Sequence, residues 1–201
     1  MRTYSWIIVA CAVSFASTNL AVAHDETHEN ASPEAMMQAW QQMMAPNENH
    51  KKLEFFVGKW EGTVRSWMEG PDKPPVESKG TSDSISMYGG RYVKDTFSSE
   101  MMGQKFEGTS LFAYDNFRKH YTSVWFDSMS TGIMTMSGSF DSSGKVLTMY
   151  GQSDDPMTGH VAKHMRAVYR IVDDNHYVFE MYDLAVGESV KMMEISYKRR
   201  K

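Results

Sequence analysis

The chain has 201 residues, a formal net charge of −4 and one cysteine. This length fits a single domain and is short for two. Mild acidity without a basic stripe argues against nucleic acid and an anionic membrane surface as partners. Aromatic residues at 12% of the chain, together with 14 glycines, favour many short strands joined by tight turns.

Residues 1–23 have the pattern of a secretory signal peptide. Arg2 supplies a positive charge, residues 6–15 form an apolar run, and residues 21–23 (Ala-Val-Ala) fit a cleavage site. The apolar run is too short to span a membrane as a helix. We therefore expect an exported protein, periplasmic or extracellular, whose mature form lacks Cys11 and has no disulfide.

The next segments predict a spacer and an amphipathic helix. Residues 24–32 are polar and acidic, which predicts a disordered spacer. Ser32 and Pro33 are helix-starting residues, and they predict a Met-rich helix within 33–46 that is stopped by Pro46. Because so short a helix is not stable alone, we expect it to dock on the rest of the protein. Its apolar stripe consists of Met36, Met37, Trp40, Met43 and Met44.

A second short helix is predicted from Asn47, with Leu53 and Phe56 on its apolar side and Gly58 at its end. From Trp60 onward the hydrophobic period changes from helical to two, which indicates strands. Roughly ten evenly spaced strands without helices between them favour an all-β fold, either an up-and-down barrel or a sandwich. The expected strands lie near 59–69, 77–87, 91–101, 104–114, 120–128, 132–141, 144–151, 162–172, 176–184 and 190–198.

Several short segments occur in a characteristic order along the chain. They include Gly58-x-Trp60-Glu61-Gly62, Gly89-Gly90-Arg91-Tyr92, Phe106-Glu107-Gly108, Tyr114-Asp115-Asn116, Trp125-x-Asp127-Ser128-Met129, Asp155-Pro156-x-Thr158-Gly159, Phe179-Glu180-Met181-Tyr182 and Met193-Glu194-Ile195-Ser196-Tyr197. Taken together and in this order, these segments resemble the bacterial family of domains of unknown function numbered 1579.

This resemblance implies a single antiparallel calycin-like β-barrel over 47–201, related to lipocalins and haem-binding nitrobindins. It implies no established activity. In barrels of this type a Gly-x-Trp tryptophan plugs the closed end beneath a basic side chain of the last strand. Trp60 and either Lys198 or Arg199 match those positions. The resemblance thus makes Trp60 structural and directs the search for a ligand to the opposite end of the barrel.

Histidines offer a metal site or a haem ligand as alternatives. His160 and His164 have the i, i+4 spacing of a zinc-binding helix, but on a strand this spacing separates the rings by roughly 13 Å. Haem is an alternative cofactor, with His120, His164 or His176 as its axial ligand. His164 and His176 are expected to face solvent, and no metal or cofactor is predicted.

Cu(I) is a second alternative cofactor, since methionine thioethers bind it in exported proteins. Methionine also fills irregular cores and adaptable pockets, and adjacent methionines on a strand point to opposite faces. Core or pocket lining is therefore the favoured interpretation of the 18 methionines.

An enzyme is the alternative function. No G-x-S-x-G motif occurs, and no cysteine follows the predicted cleavage site. Asp127 with a neighbouring strand carboxylate, Glu180 or Glu194, would suit a hydrolase or isomerase. Those glutamates would otherwise belong to an ionic ladder on the outer face of the sheet.

We expect the protein to bind a small apolar or amphipathic molecule inside the barrel, and we hypothesise that the helix at 33–44 covers an open end. A barrel filled by its own side chains, serving structure or interaction, is the third possibility. The expected ligand-binding residues combine an aromatic and a carboxylate near a turn with inward apolar side chains. They are Trp125, Asp127, Met134, Met136, Tyr169, Phe179 and Met181.

Overall fold

The chain contains two compact units, Met1–Ala39 and Trp40–Lys201. The predicted signal peptide, and the predicted spacer up to residue 31, lie outside the described residues. No helix in the described part of the chain has the length and apolar character needed to cross a membrane. The computed structural model describes residues 32–67, 70–101, 103–156, 158–187 and 190–201.

The second unit is built on ten strands. In chain order these are β1 (Gly58–Ser66), β2 (Val76–Met87), β3 (Tyr92–Met101), β4 (Gln104–Asp115), β5 (His120–Asp127), β6 (Met134–Phe140), β7 (Val146–Asp155), β8 (His160–Asp173), β9 (His176–Asp183) and β10 (Lys191–Arg199).

All ten strands pair antiparallel with their neighbours in sequence, and β1 pairs with β10 to close a barrel. The barrel is therefore confirmed, and the sandwich is excluded. The clearest difference from the predicted bounds is β7, which continues to Asp155 instead of ending near residue 151. It does so because Ser153 and Asp155 still pair with Lys163 and His160 of β8.

Burial alternates along each strand as expected for a sheet with one face inside a barrel. In β4, Phe106, Gly108, Ser110 and Phe112 are buried, and the residues between them are more exposed. The same alternation identifies the inward residues of the other strands. The core thus lies inside the barrel and at one of its ends.

That closed end is covered by α2 (Glu48–Leu53) and a 3₁₀ turn (Glu54–Phe56). Asn47 caps α2 by accepting a hydrogen bond from the Asn49 backbone at 2.9 Å. Leu53 and Phe56 are buried, as predicted, and the Phe56 ring stacks on Phe112 of β4 with centroids 6.0 Å apart. The opposite end, where β1, β3, β5, β7 and β9 finish, is called the far end below.

Trp60 plugs the closed end, and the basic side chain stacked on its ring is Arg199. The Arg199 guanidinium carbon lies 4.0 Å from the Trp60 ring centroid, a cation–π contact. The same guanidinium donates hydrogen bonds to the carbonyls of Val57 at 2.7 Å and Phe55 at 2.8 Å. Lys198 is exposed. Of the two candidates from the sequence, Arg199 is therefore correct.

The predicted first helix is present as α1 (Pro33–Met44). Within the second unit, its last turn is attached by backbone carbonyls. Asn116, in the β4–β5 turn, donates to the Met43 carbonyl at 2.8 Å, and Arg91, before β3, donates to the Met44 carbonyl at 2.8 Å. Both partners belong to the closed end, so Met43 and Met44 lie beside that end of the barrel. Trp40, Met43 and Met44 remain exposed.

Candidate functional site

All seven predicted site residues occupy inward positions, on β5, β6, β8 and β9. Trp125 lies near the far end of β5, and its Cα partner on β6 is Met134. Deeper in the barrel, the Tyr169 and Phe179 rings lie 4.9 Å apart across β8 and β9. Met136 and Met181 are buried. The seven residues therefore line the same interior at two levels, the far end and the middle.

Asp127 is held by the residues around it. One carboxylate oxygen accepts a hydrogen bond from the Trp125 indole at 2.9 Å, and the other accepts one from the Met129 backbone at 2.9 Å. The Trp125 ring stacks on Phe106 with centroids 6.3 Å apart. Asp127 thus caps the β5–β6 turn and fixes the indole, so its role is to position Trp125.

Glycines let three aromatic rings lie flat along the wall. A Cβ on Gly108 would be 2.2 Å from the Trp125 ring, and one on Gly80 would be 2.4 Å from the Phe97 ring. A Cβ on Gly62 would similarly meet Tyr197 at 3.3 Å. Each ring occupies the space that a side chain at the glycine position would otherwise fill. Less of the ring therefore extends towards the barrel axis.

A carboxyl group inside the barrel was missed in the sequence. Asp95 faces inward on β3 between Val93 and Phe97, which are 1% and 5% exposed. Its Oδ1 accepts hydrogen bonds from the hydroxyls of Ser82 and of Ser84, the latter at 2.6 Å. The sequence signal is Val93-x-Asp95-x-Phe97, in which the acid is on the same strand face as two apolar residues.

The position of Asp95 defines a polar base in the interior. Its serine partner Ser82 is the Cα partner of Trp60, so the carboxyl lies close above the plug. Burial raises the pKa of Asp95, the two serine hydrogen bonds lower it, and the net shift is upward. An acid whose ionised form is disfavoured by its surroundings is a candidate functional group.

Several inward side chains keep accessible surface. Asp95, Trp125, Met134 and Tyr169 are all only half-buried although they point into a closed barrel. In a filled barrel, inward positions at the middle level would be fully buried, as Met149 and Ala167 are at 0% exposure. The interior therefore has space beside Asp95 and Tyr169 as well as near the far end.

One ionic group lies on the inner side of the far end. Lys163 of β8 contacts Asp155 at 2.9 Å and Asp183 at 2.6 Å. The side chains of Lys163 and Asp183 are 12% and 3% exposed. With two carboxylates around one ammonium, this group carries a net negative charge.

The carboxylates proposed for an enzyme do not meet. Glu180 and Glu194 face outward on β9 and β10, whereas Asp127 faces inward on β5. Lys191 binds both glutamates, at 2.5 Å and 2.6 Å. The pairing of Asp127 with either glutamate is therefore wrong, and the two glutamates belong to the outer ladder that was the alternative.

The three histidines considered for haem all lie on outward positions. His164 is exposed, and His176 shares a hydrogen bond with Ser196 at 3.0 Å on the outer face. His120 pairs with Asp115 next to the closed-end turn. A haem inside the barrel would find none of these three as an axial ligand, so they do not fit that group.

The comparisons with known proteins agree with this barrel. A family model described as a protein of unknown function (DUF1579) matches residues 45–199. The chain belongs to the DUF1579 family. The resemblance drawn from its short segments is thereby confirmed for family and fold. No curated protein sequence matches this DUF1579 protein.

Two solved structures resemble the DUF1579 barrel. Rv2717c from M. tuberculosis matches with a TM-score of 0.55 and 16% identity, covering 78% of this chain and 100% of that chain. The S-type phycobiliprotein lyase CPES from Guillardia theta matches with a TM-score of 0.51 and 7% identity, covering 78% and 99%. At such identities the similarity establishes the fold alone.

Proposed function

We propose that this protein binds one small apolar or amphipathic molecule inside the barrel. The observation that carries the proposal is the partial exposure of Asp95 and Tyr169, which point inward at the middle of a closed barrel. A barrel filled by its own side chains would not leave surface at that level. The likeness to a phycobiliprotein lyase is compatible with a small-molecule ligand.

The character of the wall supports a mainly apolar ligand. Trp125, Phe179 and the methionines Met134, Met136 and Met181 supply large, polarisable surfaces. Methionine side chains adapt to ligands of different shape because they are unbranched and flexible. A few polar groups in an apolar cavity are the usual composition of a small-molecule site.

We further propose that the protein acts outside the cytoplasm. The support is the signal-peptide pattern of residues 1–23. Mass spectrometry of the protein from its producing cells should give a mature chain that begins at His24. A full-length chain retained in the cytoplasm would contradict export.

Calorimetric titration with decan-1-ol tests binding, since this probe has a flexible apolar tail and no charge. We expect one site per chain. Trp125→Ala should weaken binding by about tenfold, because it removes roughly one large apolar contact. Phe126→Ala is the matched control: Phe126 is the next residue, is 46% exposed and faces outward, so its loss should change affinity less than twofold. An equal loss in both variants would overturn the proposal, and so would failure to bind both decan-1-ol and charged molecules with the same tail.

A further inference from the structure

The carboxyl of Asp95 has no partner of opposite charge in the described part of the chain. Both of its serine hydrogen bonds reach the same oxygen, Oδ1. A carboxylate oxygen accepts more than one hydrogen bond, and Oδ2 makes none with the described residues. One oxygen of an interior acid is thus available to something that enters the barrel.

Three tyrosines face this acid from the opposite wall. Tyr169, Tyr177 and Tyr197 are inward residues of β8, β9 and β10, and the last two rings stack with centroids 4.5 Å apart. Their hydroxyls make no hydrogen bond with other described residues, whereas the Tyr121 hydroxyl donates to the Asn49 carbonyl at 3.0 Å. Burial raises the pKa of all three phenols, and the nearby Asp95 charge raises it further.

This arrangement is costly for folding alone. An interior carboxyl without a cation is among the more unfavourable groups a core can contain. An apolar residue at position 95 would suit the plug and its neighbours Val93 and Phe97 better. A ligand that supplies a positive charge would offset the free-energy cost of this interior carboxyl.

The other inward charged groups have a net negative charge. Besides Asp95, the inner side of the barrel carries Asp127 and the Lys163 group with its two aspartates. The described interior above Trp60 therefore contains four aspartates and one lysine. An anionic head group would be repelled along this route, and a cation would be attracted.

Resting on the proposed function, we infer that the ligand is an amphipathic amine whose cationic head binds at the polar base. Asp95 is the counter-ion, and the phenol oxygens of Tyr169, Tyr177 and Tyr197, which make no hydrogen bond with other described residues, accept hydrogen bonds from the ammonium group. The apolar tail extends past Phe179 towards Trp125.

Three probes with one tail test this inference: decylammonium, decan-1-ol and decanoate, each titrated calorimetrically below the concentration at which it forms micelles. We expect decylammonium to bind about tenfold more tightly than decan-1-ol, and decanoate to bind most weakly. Equal affinities, or a preference for decanoate, would overturn the inference while leaving the proposed function intact. Failure of all three probes to bind would overturn both.

Two variants test whether Asp95 causes the preference for decylammonium. Asp95→Asn should abolish the preference for decylammonium, so that decylammonium and decan-1-ol bind the variant with similar affinity. Asp83→Asn is the matched control, because Asp83 lies between Ser82 and Ser84 on β2 but is exposed on the outer face. It should retain the preference. A preference that survives in Asp95→Asn would contradict the assignment of the counter-ion. The comparison of probes on the unmodified protein decides cation selectivity even if Asp95→Asn does not fold.

Discussion

Gly108 and Trp125 lie against each other on adjacent strands so closely that a methyl group at Gly108 would sit 2.2 Å from the indole ring. The glycine therefore sets where the indole lies, and Asp127 holds it there through the 2.9 Å hydrogen bond to Nε1. Gly108 and Asp127 together therefore fix the position of the Trp125 ring at the far end of the interior.

Gly108→Ala should displace the Trp125 ring and destabilise the barrel by about 1–3 kcal/mol, as overpacking in a core does. Urea unfolding followed by circular dichroism measures the loss. Gly132→Ala is the control, because a Cβ there meets only the Ser130 hydroxyl oxygen at 3.6 Å and should cost little. Equal stability of both variants would show that the indole has room to move.

Arg199→Lys should lower the free energy of unfolding by about 1–3 kcal/mol. Lysine cannot donate to both the Val57 and Phe55 carbonyls in the planar geometry of a guanidinium, so at least one partly buried acceptor loses its partner. Arg200→Lys changes the same side chain one residue later, at an exposed contact 3.4 Å from Glu61, and should be nearly neutral. A similarly small loss of unfolding free energy in both variants would contradict the role of Arg199 in stabilising the closed end.

Asp95→Asn should make the protein without ligand more stable at pH 7. An acid with a raised pKa in the folded state binds its proton more tightly there than in the unfolded chain. The free energy of unfolding therefore falls as the pH rises from the unfolded pKa to the higher folded pKa. The variant cannot lose stability in this way, and its amide oxygen can still accept from Ser82 and Ser84. The advantage should disappear below pH 3.8, the ordinary pKa of the group. Chemical denaturation at several pH values tests this, and a variant less stable at pH 7 would contradict it.

Glu180→Gln should have the opposite pH dependence. Burial raises the pKa of Glu180, but hydrogen bonds from Lys191 and Arg170 outweigh it and leave the pKa below its ordinary value of 4.5. The contribution of the carboxylate is therefore complete above pH 4.5 and is lost as pH falls through the lower folded value. The variant should be less stable than the natural protein at pH 7, and the gap should narrow in acid. A constant gap from pH 7 to pH 3 would exclude this ionic contribution.

Much of the fold was readable in the sequence because its signals are local. The strand period and the turn residues predicted about ten strands in a barrel or a sandwich, and the family resemblance implied the closed barrel and the end plugged by Trp60. Arg199 was one of two candidates, since a one-residue choice between Lys198 and Arg199 depends on register across the β1–β10 seam.

The interior was only partly predictable. Trp125, Met134 and Tyr169 followed from apolar alternation, but Asp95 did not, because charged strand residues are usually assigned to the solvated face. Its inward phase between Val93 and Phe97 was the signal. The partners Ser82 and Ser84 come from another strand, so the polar base depends on strand pairing. The predicted pairing of Asp127 with Glu180 was wrong because it too depends on residues from separate strands, and these two residues face opposite sides of the sheet.

Methionine methyl NMR with decan-1-ol tests most directly whether a ligand enters the barrel. Methyl signals assigned through Met→Leu variants report on both the interior and the surface. We predict shifts at the inward residues Met134, Met136 and Met181, with no change at Met43 and Met44, which are exposed on α1. Shifts confined to Met43 and Met44, with the inward methyls unchanged, would contradict binding inside the barrel.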